Sequence, residues 1–175
     1  MEKKESLTKT EDQHRHYPAF VDVEKMLEKF AAVTREIASR AFDLFMDRGA
    51  RFGNQLEDWV RAEMETLRSA PVKITENKDT INVMVGAPGF KPSEIEMSIK
   101  GRLLMISGET TSGSESNDDS VFYSEWRSDR FMRQLDLPAE VETDNVEAIL
   151  ENGVLQLTLK KKVEAEATKV AVKAA

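Results

Sequence analysis

The apolar residues of this 175-residue chain change period at Pro71. Before it, Val23, Met26, Leu27, Phe30, Val33, Ile37, Ala41, Leu44 and Phe45 recur at intervals of three and four from residue 20 to about 47, the spacing of one helical face. The stripe predicts one helix, or two with a break near Thr34. "RGARFGN" then offers glycine and asparagine for a C-cap, a turn and an N-cap. "QLEDWVRAEMETLRS" resumes with Leu56, Trp59, Val60, Glu63, Met64 and Leu67, closing a small helical hairpin before Pro71. After Pro71 the period is two: Ile81, Val83 and Val85; Ile95, Met97 and Ile99; Leu104 and Ile106; Leu155, Leu157 and Leu159. Turn signals at "APGFKPS", "KGR" and "ENG" separate these runs. Residues 111–120 read as a flexible polar loop, and "FYSEWR" and "RFMRQLDLP" as further strands beyond it. Short strands without intervening helices predict a mainly β chain: an antiparallel, immunoglobulin-like β-sandwich preceded by an α-helical hairpin.

The expected divisions are a disordered segment over residues 1–19, a helical region over 20–70, the sandwich over 71–162 and a flexible tail over 163–175. A composition 40% hydrophobic and 33% charged suits a folded soluble chain. No run approaches the length of a membrane span, and the start carries no apolar stretch behind its charges, so a cytoplasmic protein without membrane contact is expected. A net charge of −7 disfavours a nucleic-acid partner, whose phosphates attract a basic surface. The chain has no cysteine, which removes disulfides, thiolate metal sites and cysteine nucleophiles together and fits a reducing compartment.

Catalysis finds little foothold. The only histidines, His14 and His16, fall in the segment expected to be disordered, where two imidazoles would hold a metal weakly. Asp118 and Asp119 lie in the polar loop, where nothing would split their pKa values into an acid and a base. No glycine-rich loop leads into Lys-Ser or Lys-Thr, so no nucleotide-phosphate cradle can be drawn. No enzyme activity, cofactor or metal is expected. A hydrolase would have to work with carboxylates alone.

The sandwich half carries a more specific signal. "APGFKPSEIEMSIKGRLLMISGE" followed by "RFMRQLDLPAEVETDNVEAILENGVLQLTLKK" resembles the α-crystallin domain of small heat shock proteins of the bacterial and plant type. The resemblance lies in Pro88-Gly89, the "ISGE" strand end, Phe131-x-Arg133 leading to Leu137-Pro138, and Asn152-Gly153-Val154-Leu155, in that order. It implies an ATP-independent holdase, a dynamic oligomer of dimers that binds partly unfolded proteins and suppresses their aggregation. It also implies a dimer made by strand exchange, in which Phe122, Tyr123, Glu125, Trp126 and Arg127 cross to the partner's sheet while Arg133 joins the interface ion pairs. A dimeric adaptor recruiting one folded partner is the alternative on the same sandwich. The hairpin "IASRAFDLFMDRGARFGNQLEDWVRAEMETL" resembles a short bacterial family of unknown function, which transfers no activity. Its Phe and Met side chains make Phe20, Met26, Phe30, Phe42, Phe45 and Phe52 the candidates for holding unfolded clients.

The tail "TKVAVKAA" places Val170 and Val172 one residue apart, so that in an extended chain both side chains point the same way. The resemblance implies that they dock on a neighbouring dimer and build the higher oligomer. The groove would have Ile95, Met97 and Ile99 as one wall and "VEAIL", with Ala148 or Ile149 turned inward, as the other. Burying two valines stabilises by roughly 3–6 kcal/mol before the tail's ordering entropy is subtracted. A single contact of that size is about millimolar or weaker, so the tail is expected to hold an assembly only through several copies at once.

Overall fold

The computed structural model describes residues 18–111 and 128–162. Its elements are β1 (Ala19–Phe20), α1 (Val23–Asp47), α2 (Gln55–Thr66), β2 (Val72–Glu76), β3 (Thr80–Gly86), β4 (Ile95–Lys100), β5 (Leu103–Thr111), β6 (Ser128–Asp136), β7 (Val141–Glu151) and β8 (Val154–Lys161). Helix α1 begins where the Asp22 carboxylate accepts the Glu24 amide proton at 2.8 Å, a side-chain N-cap. It runs unbroken past Thr34, whose hydroxyl donates to the Phe30 carbonyl at 2.9 Å. That local bond absorbs the polar residue where the stripe left a break open.

The strands form two four-stranded sheets, ordered β1-β4-β5-β6 and β2-β3-β8-β7. The long pairs are antiparallel, as the sequence pattern requires; β1 alone runs parallel to its neighbour, β4. Ile81, Val83 and Val85 lie opposite Leu159, Leu157 and Leu155, and Met97 and Ile99 opposite Ile106 and Leu104. These pairs face into one apolar core with Phe90, Phe131 and Leu137. The β7–β8 turn uses left-handed Asn152 and Gly153, the geometry of a two-residue hairpin. A Cβ on Gly153 would also stand 2.8 Å from the Pro88 Cα, so glycine is needed there for space as well as for φ.

The helical hairpin covers the outer face of the β1-β4-β5-β6 sheet. Ser98, Met105 and Ser107 alternate with core residues and so point away from the sandwich interior, yet all three are buried. Met132, on the same outer face of β6, packs with Val33, Ile37, Leu44 and Ala62 of the two helices. The rim is tied by Lys29 to Glu96 at 3.0 Å and by Arg130, which donates to both Glu36 oxygens at 2.8 Å. Between the helices, Arg48 grips Asp58 with contacts of 2.7–3.0 Å.

The tightest steric constraint in the core is Gly108. It lies opposite Phe131, and a Cβ there would fall 2.2 Å from the Phe131 ring. That ring is buried and meets Phe90 edge-on at 4.9 Å, so it has nowhere to withdraw. Gly108→Ala is expected to destabilise the chain by about 1–3 kcal/mol in urea unfolding, as overpacking does in tight cores.

Candidate functional site

Among the described residues the surfaces able to bind something are edges and faces rather than clefts. The first is the β4 edge. Of the residues expected to line a docking groove, Ile99 and Ala148 are half-buried, but Ile95 and Met97 are fully buried. Ile95 and Met97 are buried because their side chains face the sandwich core, and the chain itself pairs with the backbone edge of β4. Ala19 and Phe20 pair with Glu96 and Met97, and the Val21 amide donates to the Met97 carbonyl at 2.9 Å. Pro18 is buried and Phe20 is 47% exposed. Pro18 immediately precedes this short strand and Phe20 ends it, with Ala19 between them. "Pro-Ala-Phe" places two apolar residues at the spacing that "Val-Ala-Val" has in the tail. Val170 and Val172 themselves lie outside the described residues, as do His14 and His16.

The second surface is the seam between β6 and the start of β2. Arg133 shares the inward side of β6 with Phe131 and Leu135, and its Nε donates to the Ala70 carbonyl at 2.6 Å. The chain just before β2 is also tied to β6 by the Arg68 amide, which donates to the Arg130 carbonyl at 2.7 Å. Beyond this tie β2 pairs, among the described residues, only with β3, and four of its five residues are exposed. Phe122, Tyr123, Glu125, Trp126 and Arg127 lie outside the described residues.

The third surface is the hairpin. Phe42, Phe45 and Phe52 form an aromatic chain with ring separations of 6.2 and 5.7 Å, and the Arg48 guanidinium lies over the Phe45 ring. Phe42 is 60% and Phe52 85% exposed, while Phe30 and Phe45 are half-buried. Met26, placed with them by its period, is fully buried and is no part of an exposed surface in this state. Helix α2 also departs from its pattern. It turns Asp58 and Ala62 inward, with Trp59 half-buried, and leaves Leu56, Val60 and Met64 in solvent. The Arg48–Asp58 pair sets this rotation; a buried aspartate was not legible as an anchor because its arginine lies ten residues away, across the turn.

Electrostatics hold the hairpin to the sheet. Burial pushes the Glu96 carboxyl up, but hydrogen bonds and charge from Lys29 and Lys25 outweigh it and hold its pKa below the usual 4.5. Lys29 also stands 3.7 Å from Glu109. Glu65 is held low by the Arg40 hydrogen bond, with Arg61 adding to it against burial.

The model of the Hsp20/alpha crystallin family matches residues 73–173. The chain belongs to this family. Heat shock protein 16 of Schizosaccharomyces pombe is 33% identical over 129 residues, covering 73% of this chain and 86% of its own length. The 16.9 kDa class I heat shock protein 3 of Oryza sativa subsp. japonica is 32% identical over 141 residues, 78% of this chain and 93% of its own. Among solved structures, heat shock protein 16.0 of Schizosaccharomyces pombe is 31% identical, covering 61% of this chain and 99% of its own, with a TM-score of 0.47. The family is that of small heat shock chaperones. Its matched span continues past β8 and takes in Val170 and Val172. No helix among the described residues is long and apolar enough to cross a membrane.

The direction of the Glu96 shift fixes a pH dependence. A carboxylate held low in the folded chain contributes stability above its unfolded pKa and loses it as pH falls through the folded value. The docking of α1 on β4 is therefore expected to weaken in the window below about pH 4.5, the carboxyl's ordinary value. Hydrogen exchange over residues 23–33 should rise across that window relative to β8, and Glu96→Gln should raise it at neutral pH while flattening its acid dependence.

Proposed function

We propose that this chain is an ATP-independent holdase that works as a dynamic oligomer of dimers in the cytoplasm and binds partly unfolded proteins through apolar surface on its hairpin. The observation that carries the reading is the exposed Phe42 and Phe52 pair beside half-buried Phe45, presented by a member of a chaperone family. Binding unfolded chains in preference to folded ones shifts the folding balance by mass action, which needs no nucleotide. Exposed aromatic rings on a small hairpin suit irregular clients because they offer large contact area with few rotatable bonds.

The dimer forms by strand exchange. The free edge of β2 accepts a strand from the partner, supplied by residues 122–127, and main-chain hydrogen bonds close an edge that would otherwise invite aggregation. Arg133, at the β6–β2 seam, lies where that partner arrives. Higher assembly uses Val170 and Val172 of a neighbour against the groove beside β4 and β7, with Ile99 and Ala148 at its lips. Because residues 18–20 hold that edge, a neighbour's tail docks only when they leave. Their departure is eased by the layer above them. The Ser98 and Ser107 hydroxyls are buried under the hairpin with no hydrogen-bond partner among the described residues, an arrangement that costs roughly 1–3 kcal/mol each. The N-terminal region is thus a cover held partly by ion pairs over two buried hydroxyls.

The test is Phe42→Ser with Phe52→Ser, two exposed positions whose change leaves the core intact. The double variant should keep its circular dichroism and unfolding midpoint yet protect a heated client at least about threefold less well per subunit, as light scattering reads it. Undiminished protection by a folded double variant would remove the hairpin aromatics from client binding, and no protection of any client by the parent chain would favour the single-partner adaptor.

A further inference from the structure

Helix α2 exposes a row that neither the sandwich nor α1 covers. Leu56, Val60 and Met64 follow one another at intervals of four, with exposures of 76%, 46% and 75%. Such an i±4 row is the ridge that interdigitates when two helices pack at their commonest crossing angle. Its flank reads Glu57, Arg61, Glu65, one residue after each apolar position. Within the chain Arg61 bonds Glu65 at 3.0 Å, yet its side chain stays 68% exposed and free to serve a second carboxylate. The row also runs on towards the sandwich. Val60, Met64 and Leu67 border a cavity of about 260 Å³ whose far wall is Met132 and Arg133 of β6.

From the self-complementary flank and this continuity with the β6 seam we infer that the occupant of the row is the α2 helix of a second copy of this chain, packed antiparallel about a two-fold axis at Val60. Reversal sets Leu56 of each chain on Met64 of the other and Val60 on Val60. It brings Arg61 of each copy beside Glu57 of the other, so that the two ion pairs related by the axis frame a dry centre. A two-fold contact repeats the same patch on both sides, and a patch needs only to complement its own reverse. The four helices of two hairpins then form a small bundle, with the Phe42 and Phe52 rings left at its tips. The contact is separate from client binding and does not rest on the chaperone reading.

The absence of cysteine from the chain makes the geometry directly readable. In the full-length protein, Val60→Cys should form an intermolecular disulfide under mild oxidation at least about tenfold faster than Thr143→Cys, an exposed control on β7, because residues on the axis meet their own copies at high effective concentration. Leu56→Cys alone should cross-link slowly, and quickly when mixed with Met64→Cys. Arg61→Glu, which makes the flank wholly acidic, should lower the mean oligomer mass in light scattering, and Glu57→Arg with Arg61→Glu should restore it. A Val60→Cys rate equal to the control, faster cross-linking of Leu56→Cys alone than of the mixture, or an unchanged mass in Arg61→Glu would each overturn the proposal. A loss of client protection in Arg61→Glu at unchanged mass and control-level cross-linking would assign the row to clients instead.

Discussion

The two residues of β1 on the edge of β4 decide how the rest of the chain sits. Once Val21 is bonded to Met97, α1 must start at the rim of the sandwich and cross the outer face of the sheet. That crossing buries Met26 and Met105, places Glu36 against Arg130, and hangs α2 beside β6. The hydrogen bonds themselves are few. Their effect is large because they convert a helix-bearing arm that could point anywhere into a cover over a sheet that would otherwise be wet.

The same arrangement gives the cover its weakness. Methionines fill the contact, and they adapt to one surface as readily as to another. The rim pairs of Lys25 and Lys29 with Glu96 keep part of their surface in solvent, so salt and acid loosen them. The buried Ser98 and Ser107 hydroxyls find no hydrogen-bond partner among the described residues. By contrast, the contacts inside the sandwich are apolar and register-locked, from Ile81 on Leu159 to Gly108 under Phe131. One part of the molecule is built to stay and the other to let go.

Much of the sandwich could be read from the sequence because alternation is local: Ile81, Val83 and Val85 announce a half-buried strand without knowledge of their partners. Strand β2 carries only two alternating apolar residues, Val72 and Ile74, and four of its five residues are exposed, too short a period to announce a strand. In β7 the register breaks between Val141 and Val146, which blurs the period. The hairpin was legible as helices but not in its rotation. The period of α2 groups Leu56, Val60 and Met64 without saying which side is covered; with Arg48 paired to Asp58, Asp58 and Ala62 turn inward and that row stays outside. Periodicity tells which residues share a face; it does not tell which face meets a neighbour. The groove was harder still. Ile95 and Met97 carry the same alternation whether their edge is open or filled, and "Pro-Ala-Phe" is too short to show a period.

The central claim is that the chain's own residues 18–20 and a neighbour's tail hold the β4 edge in turn. It is tested most directly by amide hydrogen exchange at Val21 in a protein ending at Lys162, with and without excess of a peptide spanning residues 163–175. The account predicts that the Val21 amide is protected by its bond to the Met97 carbonyl in the truncated protein alone, and that added peptide removes that protection while β8 stays unchanged. Val21 exchanging at the rate of an open chain without peptide, or keeping its protection when peptide is bound, would contradict it.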